Sequence, residues 1–299
     1  MFLAVLQALV SGLVTGCVYA LVALSICIVY KSSDLLNFAG GEFVMAGGYL
    51  ALLGSVAFGL GYAAIFPLVI LGAFLIGAAF DRVTLHKVRS LSRTDHAAHV
   101  PMIVATLGLS YMLKGAARVI PYTEEPRRLA PLWSGDAIFI GSVVLQRQDV
   151  VIVGVTAAIM MGLLVFFRYT MAGKGLRAIS QSPRAAALAG MPVSRFRMGA
   201  WGLASAIAGI AGILLASKLL VTPDIGSIVM MAFAAAVVGG MTSLPGCVVG
   251  GMLIGVLQNL VGFLIAPQAI AITPFFIIMA VLLLRPQGLF GDGQAPKKV

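Results

Sequence analysis

Glu42 stands in the stretch NFAGGEFVMAGGYL, residues 37–50, at the head of an apolar run. A carboxylate in such surroundings must find a cation or a watery cavity. Lys31 or an arginine of the 168–197 loop is the expected partner. The position reads as one near an inner interface, in a structural or gating ion pair rather than in direct solute contact. Around it, Asn37, Gly40, Gly41, Gly47 and Gly48 permit either close helix packing or a helix break whose carbonyls line a pathway. Lys114 and Arg118 share a helix face at i,i+4 inside another apolar run. They either snorkel to the outer surface or make the mouth of a pathway electropositive.

A second glycine-rich region holds Gly239, Gly240, Gly246, Gly250, Gly251 and Gly255, followed by Gln258 and Asn259. Gly251 and Gly255 have the GxxxG spacing of close helix contact, and the two amides suit interhelical hydrogen bonds or solute binding equally well. Pro267 and Pro274 shape the last hairpin and span. The chain lacks a Walker A motif, and no carboxylate pair, activated serine or His/Cys cluster has a spacing suited to catalysis. His86, His96 and His99 crowd one basic loop and read as solvated rather than metal-ligating. Cys17, Cys27 and Cys247 lie in apolar segments as small core residues. No metal site and no enzymatic activity are expected.

The elements that must position these groups are membrane helices. Of 299 residues 61% are hydrophobic and only 10% charged, against about 25% charged in soluble domains. The mean hydropathy of +1.06 agrees. Apolar runs near 6–30, 36–58, 62–80, 100–120, 150–168, 198–218, 224–241, 247–264 and 268–284 approach the roughly 20 residues needed to cross a bilayer. The expected fold is all-α, a polytopic helical domain filling residues 1–299 with eight or nine membrane helices. Eight arises if the glycine-broken pair around GGMTSLPG (239–246) is irregular or re-entrant.

The net charge of +10 does not point to nucleic acid, because of where it lies. Segments 31–42, 81–99, 168–197 and 285–299 hold 14 of the 20 Lys and Arg residues against five acids. Such an excess marks the cytoplasmic face. That puts the C-terminus inside, and an N-terminus outside favours nine crossings. The loop 121–149, with Glu124, Glu125, Arg127, Arg128 and Asp136, then forms an ordered polar outer surface. Its Trp133 serves as an interfacial anchor or a partner contact.

Within the basic loop 169–197, GLRAISQSPRAAALAGMPVSRFR carries a helix barely two turns long. Ser182 can cap it, Pro183 fits its first turn, Gly190 supplies a left-handed end and Pro192 stops it. A helix this short is not stable alone. Its smooth face, with Ala186 and Ala187 between Arg184 and Gly190, suits docking to a cytoplasmic partner. A solvated loop that only fixes topology, or an anionic-lipid patch, are the rival readings.

The sequence resembles the permease subunits of branched-chain amino acid ABC importers, in particular the shorter of their two permease types. The likeness rests on residues 11–50, ATLGLSYML at 105–113, the loop at 173–197, AFAAAVVGGMTSLPGCVVGGMLIGVLQNL at 232–260 and LLLRPQGLFG at 282–291. It implies a multi-pass protein of the bacterial inner membrane, working with a second related permease, two cytoplasmic ATP-binding subunits and a periplasmic or extracellular solute-binding protein. ATP and Mg would be bound by those partners, with no cofactor held by this chain. It implies further that Arg177, Ser182, Pro183, Arg184, Ala186, Ala187, Gly190 and Arg195 belong to a coupling helix and its flanks. A carboxylate common in the family near residue 258 is here a neutral amide, so no charged role carries over. Branched-chain amino acids are the implied solutes, with urea or short amides as an alternative. A self-contained secondary transporter or channel, or a membrane scaffold, are rivals from other classes.

Overall fold

The computed structural model describes residues 2–91, 95–119, 126–133, 135–140 and 143–291. The expected Glu124, Glu125, Lys297 and Lys298 lie outside these residues, as does the side chain of His96. The helices are α1 (Phe2–Ser33), α2 (Gly40–Val56), α3 (Tyr62–Phe80), α4 (His86–Leu91), α5 (Asp95–Val119), α6 (Arg147–Tyr169), α7 (Met171–Gln181), α8 (Pro183–Leu188), α9 (Val193–Ala216), α10 (Val229–Gly239), α11 (Leu244–Leu264) and α12 (Thr273–Leu284). A π-turn, Asp81–Leu85, joins α3 to α4, and 3-10 turns Pro223–Ile228 and Pro267–Ala271 precede α10 and α12.

All nine apolar runs become helix, but they are not equivalent. Among the described residues six helices have the length and composition to cross a membrane, whereas the segments Gly40–Val56, Pro223–Gly239 and Thr273–Leu284 are shorter. At 1.5 Å per residue α2 reaches about 26 Å and α10 about 17 Å, against about 30 Å of hydrocarbon. The all-α expectation needs one amendment. Part of the outer loop forms an antiparallel hairpin, β1 (Ile138–Ile140) with β2 (Val143–Leu145). The β-branched and aromatic residues of Ile-Phe-Ile and Val-Val-Leu suit such a strand pair, and Gln7 of α1 holds it by exchanging two hydrogen bonds with Val144.

α1 carries apolar residues on every side and is accordingly buried along most of its length. So is α9. Around this central pair the packing is reciprocal: α1 lies against α10 and α11, and α9 lies against α2 and α3. The segments α1–α2–α3 and α9–α10–α11 thus each place a long helix, a short helix and a long helix, and exchange partners. α5, α6 and α12 stay at the periphery with many exposed apolar side chains, as expected of surfaces that face lipid or another chain.

Close backbone approach explains the glycines better than pathway lining does. A Cβ on Gly47 would overlap the Gly209 backbone of α9, and one on Gly251 or Gly255 would strike Ala20 or Gly16 of α1. Gly239 is similarly pressed on Gly246, and Gly240 turns the chain with φ +100°.

Both ends of the bundle are tied by polar contacts. At one end Arg197 Nε donates to the Ser32 carbonyl at 3.3 Å and Trp201 Nε1 to Ser33 Oγ at 3.1 Å. Buried Asp81 pairs with Arg89 at 3.1 Å. At the other end Gln148 Nε2 donates to Ser217 Oγ at 2.6 Å, and the Tyr62 hydroxyl donates to the Ala130 carbonyl. Asp149 and Lys218 pair at 2.5 Å there. Arg147 lies over the half-exposed Trp133 ring.

Candidate functional site

The first candidate site is built where two short helices begin inside the bundle. α2 starts at Gly40 after a bend in which Asn37 Oδ1 accepts the Ala39 amide at 3.0 Å. A Cβ on Gly41 would overlap the Gly226 carbonyl oxygen, so the first turn of α2 and the 3-10 turn before α10 touch through their backbones. Gly40 meets Ile26, two turns short of the end of α1. No side chain caps the amides that open α2. Uncapped helix starts present free N–H donors and partial positive charge.

Glu42 sits in this first turn and is 4% exposed. Its Oε1 lies 3.3 Å from Lys114 Nζ, on α5. The expectation that Lys31 or a loop arginine would meet Glu42 is therefore corrected. Sequence spacing could not find this pair, because 72 positions separate residues that only the packing of α5 on α2 unites. Among the described residues, Glu42 Oε2 has no hydrogen-bond partner. The Lys114 side chain remains 38% exposed. One level further along, Asp224 and Arg118 act electrostatically on the buried Tyr49 hydroxyl. Tyr49 and Asp224 carried no sequence signal of their own.

The amides near the end of α11 have structural partners. Gln258 is buried and donates to the Ile270 carbonyl at 3.2 Å, while Asn259 Nδ2 turns back to the Gly255 carbonyl at 3.1 Å. Among the described residues no three His, Cys, Asp or Glu side chains gather as a metal site would need.

The second candidate site lies at the basic end. Here α7, absent from the sequence reading, lays its buried face (Gly173, Gly175, Leu176, Ile179) on the bundle and leaves Lys174 and Arg177 exposed. α8 follows as the short helix expected. Ser182 Oγ accepts the Ala185 amide at 3.2 Å, Pro183 occupies its first turn and Gly190 has φ +80°. Its faces differ from expectation in one respect. Ala186 is 5% exposed and turned inward, so it is not part of an outward surface. Arg184, Ala185, Ala187 and Ala189 are exposed, and Leu188 projects at 91% exposure. Arg195 is exposed at the start of α9. Leu188 is thus an exposed apolar side chain on a capped two-turn helix.

The sequence profile of the family described as "Branched-chain amino acid transport system / permease component" matches residues 8–284. The chain belongs to that family. Among similar proteins, the permease is 29% identical to the high-affinity branched-chain amino acid transport system permease protein BraD of Pseudomonas aeruginosa, over 98% of this chain and 97% of the relative. It is 30% identical to LivH of Salmonella typhimurium, over 99% and 98%. It is 27% identical to the probable LivH of Methanocaldococcus jannaschii, over 91% and 88%. In fold, the permease is similar to a chain of the structure titled PsaBC from Streptococcus pneumoniae in complex with Fab. The TM-score is 0.50 at 18% identity, covering 95% of this chain and 92% of that one.

Proposed function

We propose that this permease is a membrane subunit of an ATP-driven importer of branched-chain or closely related amino acids. Relatives named for that transport match over nearly its whole length. In this reading eight or nine segments cross the bacterial cytoplasmic membrane, with the basic end and the C-terminus in the cytoplasm. A solute-binding protein delivers the amino acid at the hairpin end. A second, related permease completes the path. Two cytoplasmic ATP-binding subunits hold ATP and Mg, and their closure moves the permease between its two states. A partner shifts such an equilibrium only by binding the states differently.

The observation that carries the coupling role is α8, whose Leu188 stands 91% exposed on a capped helix. Its continuity with α9 supports a mechanical link, since Arg195 and Arg197 follow directly and Arg197 holds the end of α1. Co-expression with the cognate ATP-binding subunits tests the proposal. Leu188→Glu should insert normally yet lose ATPase co-purification and solute-stimulated ATP hydrolysis in liposomes. Solute uptake by this chain alone, without any nucleotide-hydrolysing subunit, would overturn it in favour of a secondary transporter or channel.

A further inference from the structure

We infer that the Glu42–Lys114 pair is a binding site for the two charges of an α-amino acid inside the membrane. The ammonium goes to Glu42 Oε2, and the carboxylate goes to Lys114 Nζ and the first amides of α2. This inference rests on the importer reading above and adds the place in the chain that reads the solute.

Three observations meet at this point. Glu42 is buried but only half satisfied: Oε1 has Lys114 at 3.3 Å, while Oε2 is shielded from solvent and without a hydrogen-bond partner among the described residues. A buried acceptor left unmade is costly, and more so when it is charged. Lys114 is the converse case, a cation on the peripheral helix α5 with an accessible side chain. At Glu42 itself α2 begins without a side-chain cap, its backbone pressed on the turn that leads into α10. Discontinuous helices whose N-termini meet at membrane depth are a recurring way to hold an anionic group.

The charge accounting selects the ligand. In the observed state the two side chains neutralise each other. A zwitterion entering between them replaces one ion pair by two, so no bare charge is created in a medium of low dielectric. Urea or an acetamide-like solute would separate the pair without supplying either countercharge. An amine or a carboxylic acid would supply only one. The site therefore favours solutes carrying both groups on one carbon and leaves the apolar side chain to be read elsewhere.

The test uses the assembled transporter in liposomes with its binding protein and leucine as the probe. Glu42→Gln and Lys114→Met should each lower leucine uptake at least tenfold. Membrane insertion and co-purification with the ATP-binding subunits should match the parent. Recovery of uptake in the exchanged pair Glu42→Lys with Lys114→Glu would show a merely structural ion pair and overturn the inference, as would unchanged uptake in either single variant. Should the variants fail to assemble, the parent complex decides. The chain has only three glutamates, Glu42, Glu124 and Glu125, so isotope-labelled glutamate in this chain isolates few carboxylates in infrared difference spectra. Leucine, but neither isocaproate nor isoamylamine, should perturb a glutamate band, and a band indifferent to leucine would overturn the site. A parent complex with no ATP-dependent leucine uptake would instead strike the importer reading itself.

Discussion

Trp201 of α9 donates its indole N–H to Ser33 Oγ of α1 across 3.1 Å, at the end of the bundle where α8 is attached. Arg89 reaches the same hydroxyl at 3.5 Å and holds buried Asp81 of the π-turn, near which Arg197 adds positive charge. One node thus joins α1, α4, α9 and the π-turn between α3 and α4.

Breaking that node should loosen the bundle more than its hydrogen-bond count implies. Asp81→Ala leaves Arg89 without its carboxylate in a half-buried place, a change that costs about 2–4 kcal/mol when a buried partner is removed. Trp201→Phe keeps a ring beside Phe80 but loses one hydrogen bond, about 1 kcal/mol, and opens a cavity at a fully buried position. Thermal unfolding in detergent should place both variants below the parent. If Asp81→Ala unfolds at the parent temperature, the node has no structural weight.

The glycine contacts separate into two kinds. Gly251→Ala places a methyl group on the Ala20 backbone, which cannot rotate away, and overpacking of this sort costs about 1–3 kcal/mol. Gly154→Ala meets nothing within 4 Å and should be neutral or stabilising by up to about 1 kcal/mol. Comparison of their melting temperatures checks the contact between α1 and α11. Equal effects would contradict it.

Removing the cap of α8 should weaken coupling without touching the exposed surface. Ser182→Ala gives up the bond to the Ala185 amide, worth about 1 kcal/mol at a typical N-cap. Gly190→Ala adds strain at φ +80°, about 1–2 kcal/mol. Both variants should still carry Leu188 yet bind the ATP-binding subunits several-fold more weakly in titrations. Unaltered affinity would mean that the helix is held in shape by other contacts.

Native thiols should stay silent. Cys17, Cys27 and Cys247 are all buried, so an impermeant maleimide should leave the parent chain unlabelled. That makes single exposed cysteines informative about sidedness. Leu188→Cys should label only from the cytoplasmic face and Phe139→Cys only from the opposite one. Labelling of both from one side would refute the orientation drawn from the Lys and Arg distribution.

The extent to which the site was legible differs from residue to residue. Ser182, Pro183 and Gly190 act on their own backbone neighbours, so α8 could be drawn from the chain alone. Ala186 was placed on the wrong face because a two-turn helix has no periodicity long enough to say which side packs. Glu42 announced itself as costly, but its partner was sought nearby in the chain, where Lys31 was available, and found on α5 instead.

Composition and the run of apolar residues by themselves determined that this is a helical membrane protein, where its apolar helices lie, and which loops carry the positive charge. Those properties are sums over local residues, and water or lipid acts on each segment separately. Only the tertiary structure decided that α1 exchanges partners with α9, that two helices begin inside the bundle, and that Glu42 faces Lys114. Such relationships depend on which surfaces meet. In an apolar chain many helix faces are equally hydrophobic, so the selection falls to glycine contacts and to a few buried charges that tolerate one arrangement.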